Sequence, residues 1–327
     1  MRLNSWGLRL RLWLASALLF GLVFAIVIIA GTILEYGGYF YFGDYRIFIV
    51  IGFVVILLQY LIGPKIVERA MKVEYVTEEE APELHRMVTD LAMTAGIPKP
   101  KVGISNTGVP NAFAFGRTKK DGRVCVTTGI MNTLNEDELK AVLAHEIAHI
   151  AHSDMIVTTL VSAIPLICYF IYISFLFGGG SRNNGGAIIG ILALVAYFIG
   201  QLLVLFVSRT REYYADQGSI EYGSQPNHLA SALYKLVKGS ATADEEEVKE
   251  IQGIKAFFLN DVSIATNEIN EISQLDIDHD GEISASELSQ LKHQKVNVKT
   301  SDKLMELMST HPNMLKRINR LSEYTWE

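Results

Sequence analysis

His145-Glu146-Ile147-Ala148-His149 is the stretch that orders everything else in this sequence. It lies in Leu134–Ser153, where Leu139, Val142, Leu143, Ile147 and Ile150 recur at helical spacing and predict one apolar face. Asn135, with Glu138 three residues on, has the form of a capping box at the start of that helix. Histidines four apart lie one turn from each other on a single face. Both imidazoles can then meet one zinc ion, with Glu146 beside the position of an activated water. The competing reading is a chance match of five residues, and the motif needs a third ligand to become a site.

Half of the 327 residues are hydrophobic, and the mean hydropathy is +0.24. These values suit a membrane protein better than a soluble one. A net charge of −6 and the lack of a basic run interleaved with aromatics argue against a nucleic-acid partner. The two cysteines, Cys125 in a strand-like piece and Cys168 in an apolar run, give neither a disulfide framework nor a thiolate metal site.

Four uncharged runs are long enough to cross a bilayer: Leu12–Leu34, Ile47–Gly63, Met155–Gly180 and Ala187–Val207. Pro165 would kink the third, and the glycine-rich stretch Gly178–Gly186 joins the second pair. A cleaved signal peptide is the rival for the first run, which is too long and lacks a small-x-small cleavage site. The runs divide the chain at 1–63, 64–154, 155–207 and 208–327. With the N-terminus inside, Arg2, Arg9, Arg11, Lys65, Arg69, Lys72, Arg209 and Arg211 flank inner ends, and only Arg46 and Arg182 lie outside. Both termini and both polar segments are therefore expected in the cytoplasm, on a multi-pass protein of the cell membrane.

The first polar segment opens with an amphipathic helix over Glu80–Ala95. Strands follow at Lys101–Ser105, Ala112–Arg117 and Arg123–Thr128, separated by turn residues. Val109–Gly116 reads as an edge strand on which Asn111, Ala112, Phe113 and Ala114 could hold an extended substrate by main-chain hydrogen bonds. An ordinary structural strand is the alternative.

Past the fourth run comes Ser208-Arg209-Thr210-Arg211-Glu212-Tyr213-Tyr214-Ala215-Asp216. Glu212 and Asp216 share one face if the helix continues inward. Glu212 could be the third zinc ligand, and Asp216 could accept the remaining ring N–H of a ligating histidine. An even number of spans separates His149 from Glu212 and returns the chain to the same side. The alternative is a solvated juxtamembrane charge cluster, which suits Arg209 and Arg211.

HEIAH with Asp154 after it, SRTREYYAD at 208–216, PNAFAFG at 110–116 and Ser309-Thr310-His311-Pro312 together resemble the HtpX family of membrane zinc metalloproteases, relatives of the CAAX prenyl proteases. The resemblance implies a cytoplasm-facing endopeptidase that removes damaged or misassembled membrane proteins. It assigns zinc to His145, His149 and Glu212 and catalysis to Glu146. The expected architecture is a mainly α membrane protein with four transmembrane helices and a cytoplasmic α+β zincin-like domain containing a small sheet. Asn313 stands where the family often has a second proline. His311 is a candidate donor to the tetrahedral oxyanion, or else a surface histidine ahead of a helix starting at Pro312. His152 is a rival ligand one turn past His149 but would crowd the same face; His85, His228 and His293 look ordinary.

A second departure from the family is Asp276-Ile277-Asp278-His279-Asp280-Gly281-Glu282-Ile283-Ser284-Ala285-Ser286-Glu287. It fits a twelve-residue EF-hand loop: carboxylates from Asp276, Asp278 and Asp280, a turn at Gly281, the Glu282 carbonyl, Ser284 through water and Glu287 bidentate. Ile269, Ile272 and Leu275 pattern the entering helix of this insertion (about 264–297), and Leu288 and Leu291 the exiting one. The acidic Asp244–Glu247 reads as a solvated linker. Because the loop lies between Glu212 and His311, calcium could tune or stabilise the protease by moving His311. The reading from another class is a catalytically silent membrane adaptor or calcium-responsive binding protein; the uncharged spans disfavour a transporter.

Overall fold

The computed structural model describes residues 44–177, 184–241, 265–292 and 306–325. The expected span 12–34, the acidic run Asp244–Glu247 and His293 lie outside the described residues. The chain divides into two units: residues 1–63 with 156–210, and residues 64–155 with 211–327.

Three long helices contribute to the first unit: α1 (Asp44–Ala70), α5 (Asp154–Phe177) and α6 (Asn184–Glu221). Among the described residues, two stretches are long and apolar enough to cross a membrane, 154–173 in α5 and 190–221 in α6. The expected span 47–63 falls in α1, whose side chains before residue 54 lie outside the description. Leu160, Ile191, Val195, Phe198 and Leu202 are exposed, Phe198 to 59%, more apolar surface than a water-facing helix pair tolerates. Within the unit, Val161, Ile164 and Val207 pack together. Pro165 stays inside α5 and lies against Gly200, where a Cβ would sit 3.4 Å from the proline ring.

The second unit holds the sheet. Strands β1 (Val73–Tyr75), β2 (Lys101–Ser105), β3 (Ala112–Phe115) and β4 (Arg123–Thr127) lie in the order β1-β2-β4-β3. β2 and β4 are parallel, and the two outer pairings are antiparallel. The sheet is therefore mixed, with β3 at one edge. Ala112 and Ala114 face the main core, while Phe113 and Phe115 pack with Val67, Met71 and Cys125 on the other side, the period-2 alternation of a strand covered on both faces. β1 was not expected, because three residues are too few to show alternation. The helix α2 (Pro82–Thr94) buries Leu84, Met87, Val88 and Leu91.

After the short α3 (Thr128–Thr133) comes the motif helix α4 (Glu136–Ala151). Its capping box is complete: Glu138 N–H donates to Asn135 Oδ1 at 3.0 Å, and Asn135 N–H donates to Glu138 Oε2 at 2.9 Å. Glu138 also accepts from Ser231 Oγ at 2.6 Å and Lys235 Nζ at 2.9 Å, both on α7 (Pro226–Ala241). Alanines at 141, 144 and 148 are buried with the apolar stripe, so α4 is covered nearly all round. The stretch 211–221 of α6 lies directly on it: a Cβ at Gly218 would come within 2.6 Å of Ala148 Cβ. The rest of the core comes from α8 (Ala265–Ile272), α9 (Ala285–Leu291) and α10 (Met314–Ser322).

Glu138→Ala removes a buried carboxylate that joins α4 to α7, taking the acceptor from buried Ser231 Oγ and leaving Lys235 paired with Glu282 alone. The expected loss is roughly 2–4 kcal/mol, read as a lowered thermal unfolding midpoint of the purified protein; an unchanged midpoint would contradict the link.

Candidate metal centre

α4 presents the two motif histidines inward, and their Nε2 atoms lie 3.2 Å apart. Glu212, in the C-terminal part of α6, sits against both. Its Oε2 is 3.6 Å from His145 Nε2 and its Oε1 3.6 Å from His149 Nε2. Donors about 2.0–2.1 Å from a tetrahedral zinc are separated by about 3.4 Å, so the spacing fits a single ion. Glu212 Oε2 is buried without a hydrogen-bond partner, which suits a metal-ligand atom.

The opposite ring edges are held by carboxylates. His145 Nδ1 is 3.0 Å from Asp216 Oδ1, so Asp216 meets the histidine its i+4 spacing suggested. His149 Nδ1 is 2.6 Å from Asp154 Oδ2. Ser153, at φ 59°, turns the chain sharply between α4 and α5 and returns Asp154 to that ring. Both partners orient the imidazoles with Nε2 toward the centre.

Two guanidinium groups complete the arrangement. Arg317 on α10 is fully buried. Its Nε and Nη2 donate to the two oxygens of Asp216 at 3.0 and 2.7 Å, and its Nη1 is 3.3 Å from Glu212 Oε2. Arg211 Nη2 is 2.8 Å from Asp154 Oδ2. The expectation that Arg209 and Arg211 are solvated is therefore corrected: both are buried, Arg211 because Asp154 needs a counter-charge. Glu146, Asp154, Glu212 and Asp216 are all buried; Arg211 pairs with Asp154, and Arg317 with Glu212 and Asp216. Three carboxylates pair with two guanidinium groups there, with Glu146 buried beside them, so the cluster has room for a further positive charge. The titration of His145 agrees. Burial opposes its charge, yet Asp216 and Glu212 outweigh burial and raise the ring to about 9.

Glu146 is 3% exposed, and burial raises its carboxyl above the usual range against the opposing pull of His149 and His145. It also accepts a hydrogen bond from the backbone of Ala114, so edge strand β3 passes beside the candidate base. Ala112 and Phe113 are buried along that strand. Asn111 is buried just before it, its N–H donating to Thr127 Oγ1 at 2.8 Å. His311 Nδ1 lies 3.5 Å from Glu212 Oε2, and neither of its ring nitrogens has a hydrogen-bond partner. His152 turns away and meets the Tyr214 ring edge-on.

In the acidic loop, Asp276, Asp278 and Glu287 each offer an oxygen within 4.8 Å of the others. Gly281 takes φ 88°, the left-handed turn the loop requires. Asp276 is 4% exposed; its Oδ2 accepts from Tyr234 OH and Gly281 N–H at 3.1 Å, and its Oδ1 has no partner. Asp280 lies outside that three-residue group, and its Oδ1 accepts the Glu282 N–H at 2.8 Å. The Glu282 carboxylate points instead to Lys235 Nζ at 2.7 Å.

A His-His-Glu cluster, on a chain with helices apolar enough to cross a membrane, fits a membrane metalloprotease. The chain belongs to peptidase family M48, which it matches over residues 78–325. It is 63% identical over 236 residues to a protease HtpX homologue of Methanothermobacter thermautotrophicus, covering 72% of this chain and 88% of that one. With a second HtpX homologue, from Methanosarcina mazei, it shares 34% identity over 295 residues and 88% of each chain. The crystal structure of S. mikatae Ste24p has the same fold at 17% identity, with a TM-score of 0.52 over 95% of this chain and 67% of that one. The resemblance drawn from HEIAH and SRTREYYAD thus holds at the level of family.

Asp216→Asn weakens both the hold on His145 and the pair with Arg317. Metal affinity should fall about 10–100-fold in chelator competition with little change in helix content. Wild-type affinity in that variant would remove Asp216 from the site.

Proposed function

We propose that the protein is a zinc-dependent endopeptidase in which His145, His149 and Glu212 hold the metal and Glu146 is the general base. The observation carrying this reading is the convergence of two Nε2 atoms and one carboxylate from separate elements, with Glu146 adjacent. Zinc held there supplies Lewis acidity, polarising a scissile carbonyl and making water nucleophilic near neutral pH.

The protein's own groups carry the proton and the orientation. Glu146 takes a proton from the attacking water at its carboxylate and delivers it to the leaving amine nitrogen; its raised pKa suits both halves of that exchange. Asp154 and Asp216 hold the histidine rings so that each Nε2 lone pair stays available. His311, partly buried with unpartnered ring nitrogens at the rim of the cluster, donates to the oxyanion. Edge strand β3 binds an extended substrate by its backbone, with Asn111, Ala112, Phe113 and Ala114 setting its position.

The substrates proposed are damaged or misassembled membrane proteins, cleaved on the cytoplasmic side of a four-span protein with both termini inside; the excess of inner-flanking Lys and Arg supports this orientation. Calcium is the proposed occupant of the 276–287 loop, bound by Asp276, Asp278, Asp280 and Glu287 with the Glu282 carbonyl, and a modulator of the peptidase. The buried, unpartnered Asp276 Oδ1 supports this assignment.

Casein cleavage by the purified full chain should stop with a zinc chelator and return on adding zinc. Glu146→Gln should keep bound zinc but lose about 10²–10⁴-fold in rate, and Glu212→Ala should lose the metal. Undiminished cleavage by Glu146→Gln contradicts the mechanism. Zinc binding without any cleavage by the wild type favours a silent adaptor.

A further inference from the structure

The acidic loop is built into the catalytic unit. Ile272, Leu275, Ile283, Leu288 and Leu291, from the loop and its flanks, are buried in the same core as Leu143 and Ile147 of the motif helix. A loop that changes its order in this position changes the packing of the unit around it.

One element ties the loop to the metal centre. The start of α10 is fastened to α8, the helix that enters the loop. Met314 N–H donates to Glu268 Oε1 at 3.1 Å, and Asn313 Nδ2 donates to Glu271 Oε2 at 3.4 Å. Glu268 is 5% exposed, and a buried carboxylate at a helix N-terminus is a firm anchor. One turn further along α10, Arg317 clamps Asp216 and reaches Glu212. A second link runs through Lys235, which joins Glu282 of the loop to Glu138 in the capping box of α4.

The loop carries five carboxylates in twelve residues. Without a cation their mutual repulsion opposes the compact turn; with one, the turn closes and holds α8 and α9 in register. We infer that calcium in loop 276–287 fixes α10 and thereby tightens the grip of Arg317 on Glu212 and Asp216, so that the calcium-loaded protein retains zinc more firmly than the calcium-free protein. This rests on the reading of the loop as a calcium site. The coupling is reciprocal: zinc must raise the affinity for calcium by the same factor.

The full-length protein, purified in detergent, stripped of metal and reloaded with zinc alone, provides the test. Calcium binding is measured by titration calorimetry, and zinc release by transfer to a chromophoric chelator with and without saturating calcium. Calcium should bind and should lower the equilibrium transfer of zinc by a factor of about 5–150. Asp278→Asn with Glu287→Gln should behave as the calcium-free wild type in both conditions. Glu268→Gln, which keeps the loop ligands but weakens the anchor, should bind calcium while zinc transfer loses much of its response. Absence of calcium binding to the wild type overturns the site and the inference together. Binding with zinc transfer unchanged overturns the coupling and leaves the site standing. Neither readout depends on cleavage, so failure of the peptidase assignment would be seen separately.

Discussion

Everything in the catalytic unit answers to one electrostatic constraint: several carboxylates are buried together and must be balanced there. Glu146, Asp154, Glu212 and Asp216 have little access to water, and an unpaired buried charge costs several kcal/mol. Arg317 and Arg211 balance part of that charge, and a divalent cation held between the histidines would balance more of it. This explains why an arginine on α10 is fully buried against a glutamate and an aspartate far away in sequence. It also explains the small residues where α6 meets α4. Gly218 against Ala148 lets the two helices approach closely enough for Glu212 to reach both rings.

Much of this was legible in the sequence because it rests on local period. The motif helix, its Asn135–Glu138 cap and the strand at Lys101–Ser105 follow from spacing and turn residues, and they lie where spacing put them. Glu212 and Asp216 were also within reach of sequence, since a continuous helix sets residues four apart on one face, and α6 is continuous through both. The contacts that escaped join elements with no periodic relation. Arg317 reads as one more basic residue on an amphipathic helix until its partner 101 residues away is known. Arg211 looked like a membrane-flanking charge because flanking arginines are common, and only Asp154 makes it a buried counter-ion. Asp154 stood in the motif without a role; the turn at Ser153 that aims it at His149 is a backbone conformation, which residue type did not disclose.

The likeness to Ste24p extends over nearly the whole chain at low identity. That is the pattern expected when a fold is kept while most of the sequence differs. The acidic loop lies at a sensitive point, among helices that share a core with the motif helix and support Arg317. Its Tyr234–Asp276 and Lys235–Glu282 contacts both end on α7, the helix that also holds Glu138.

The most direct measurement is anomalous diffraction at the zinc edge from crystals of the metal-loaded full chain. One strong peak is expected between α4 and the C-terminal part of α6, about 2.0–2.2 Å from the Nε2 atoms of His145 and His149 and from a Glu212 oxygen. A peak lacking Glu212 among its ligands, or located away from the histidine pair, would contradict the account.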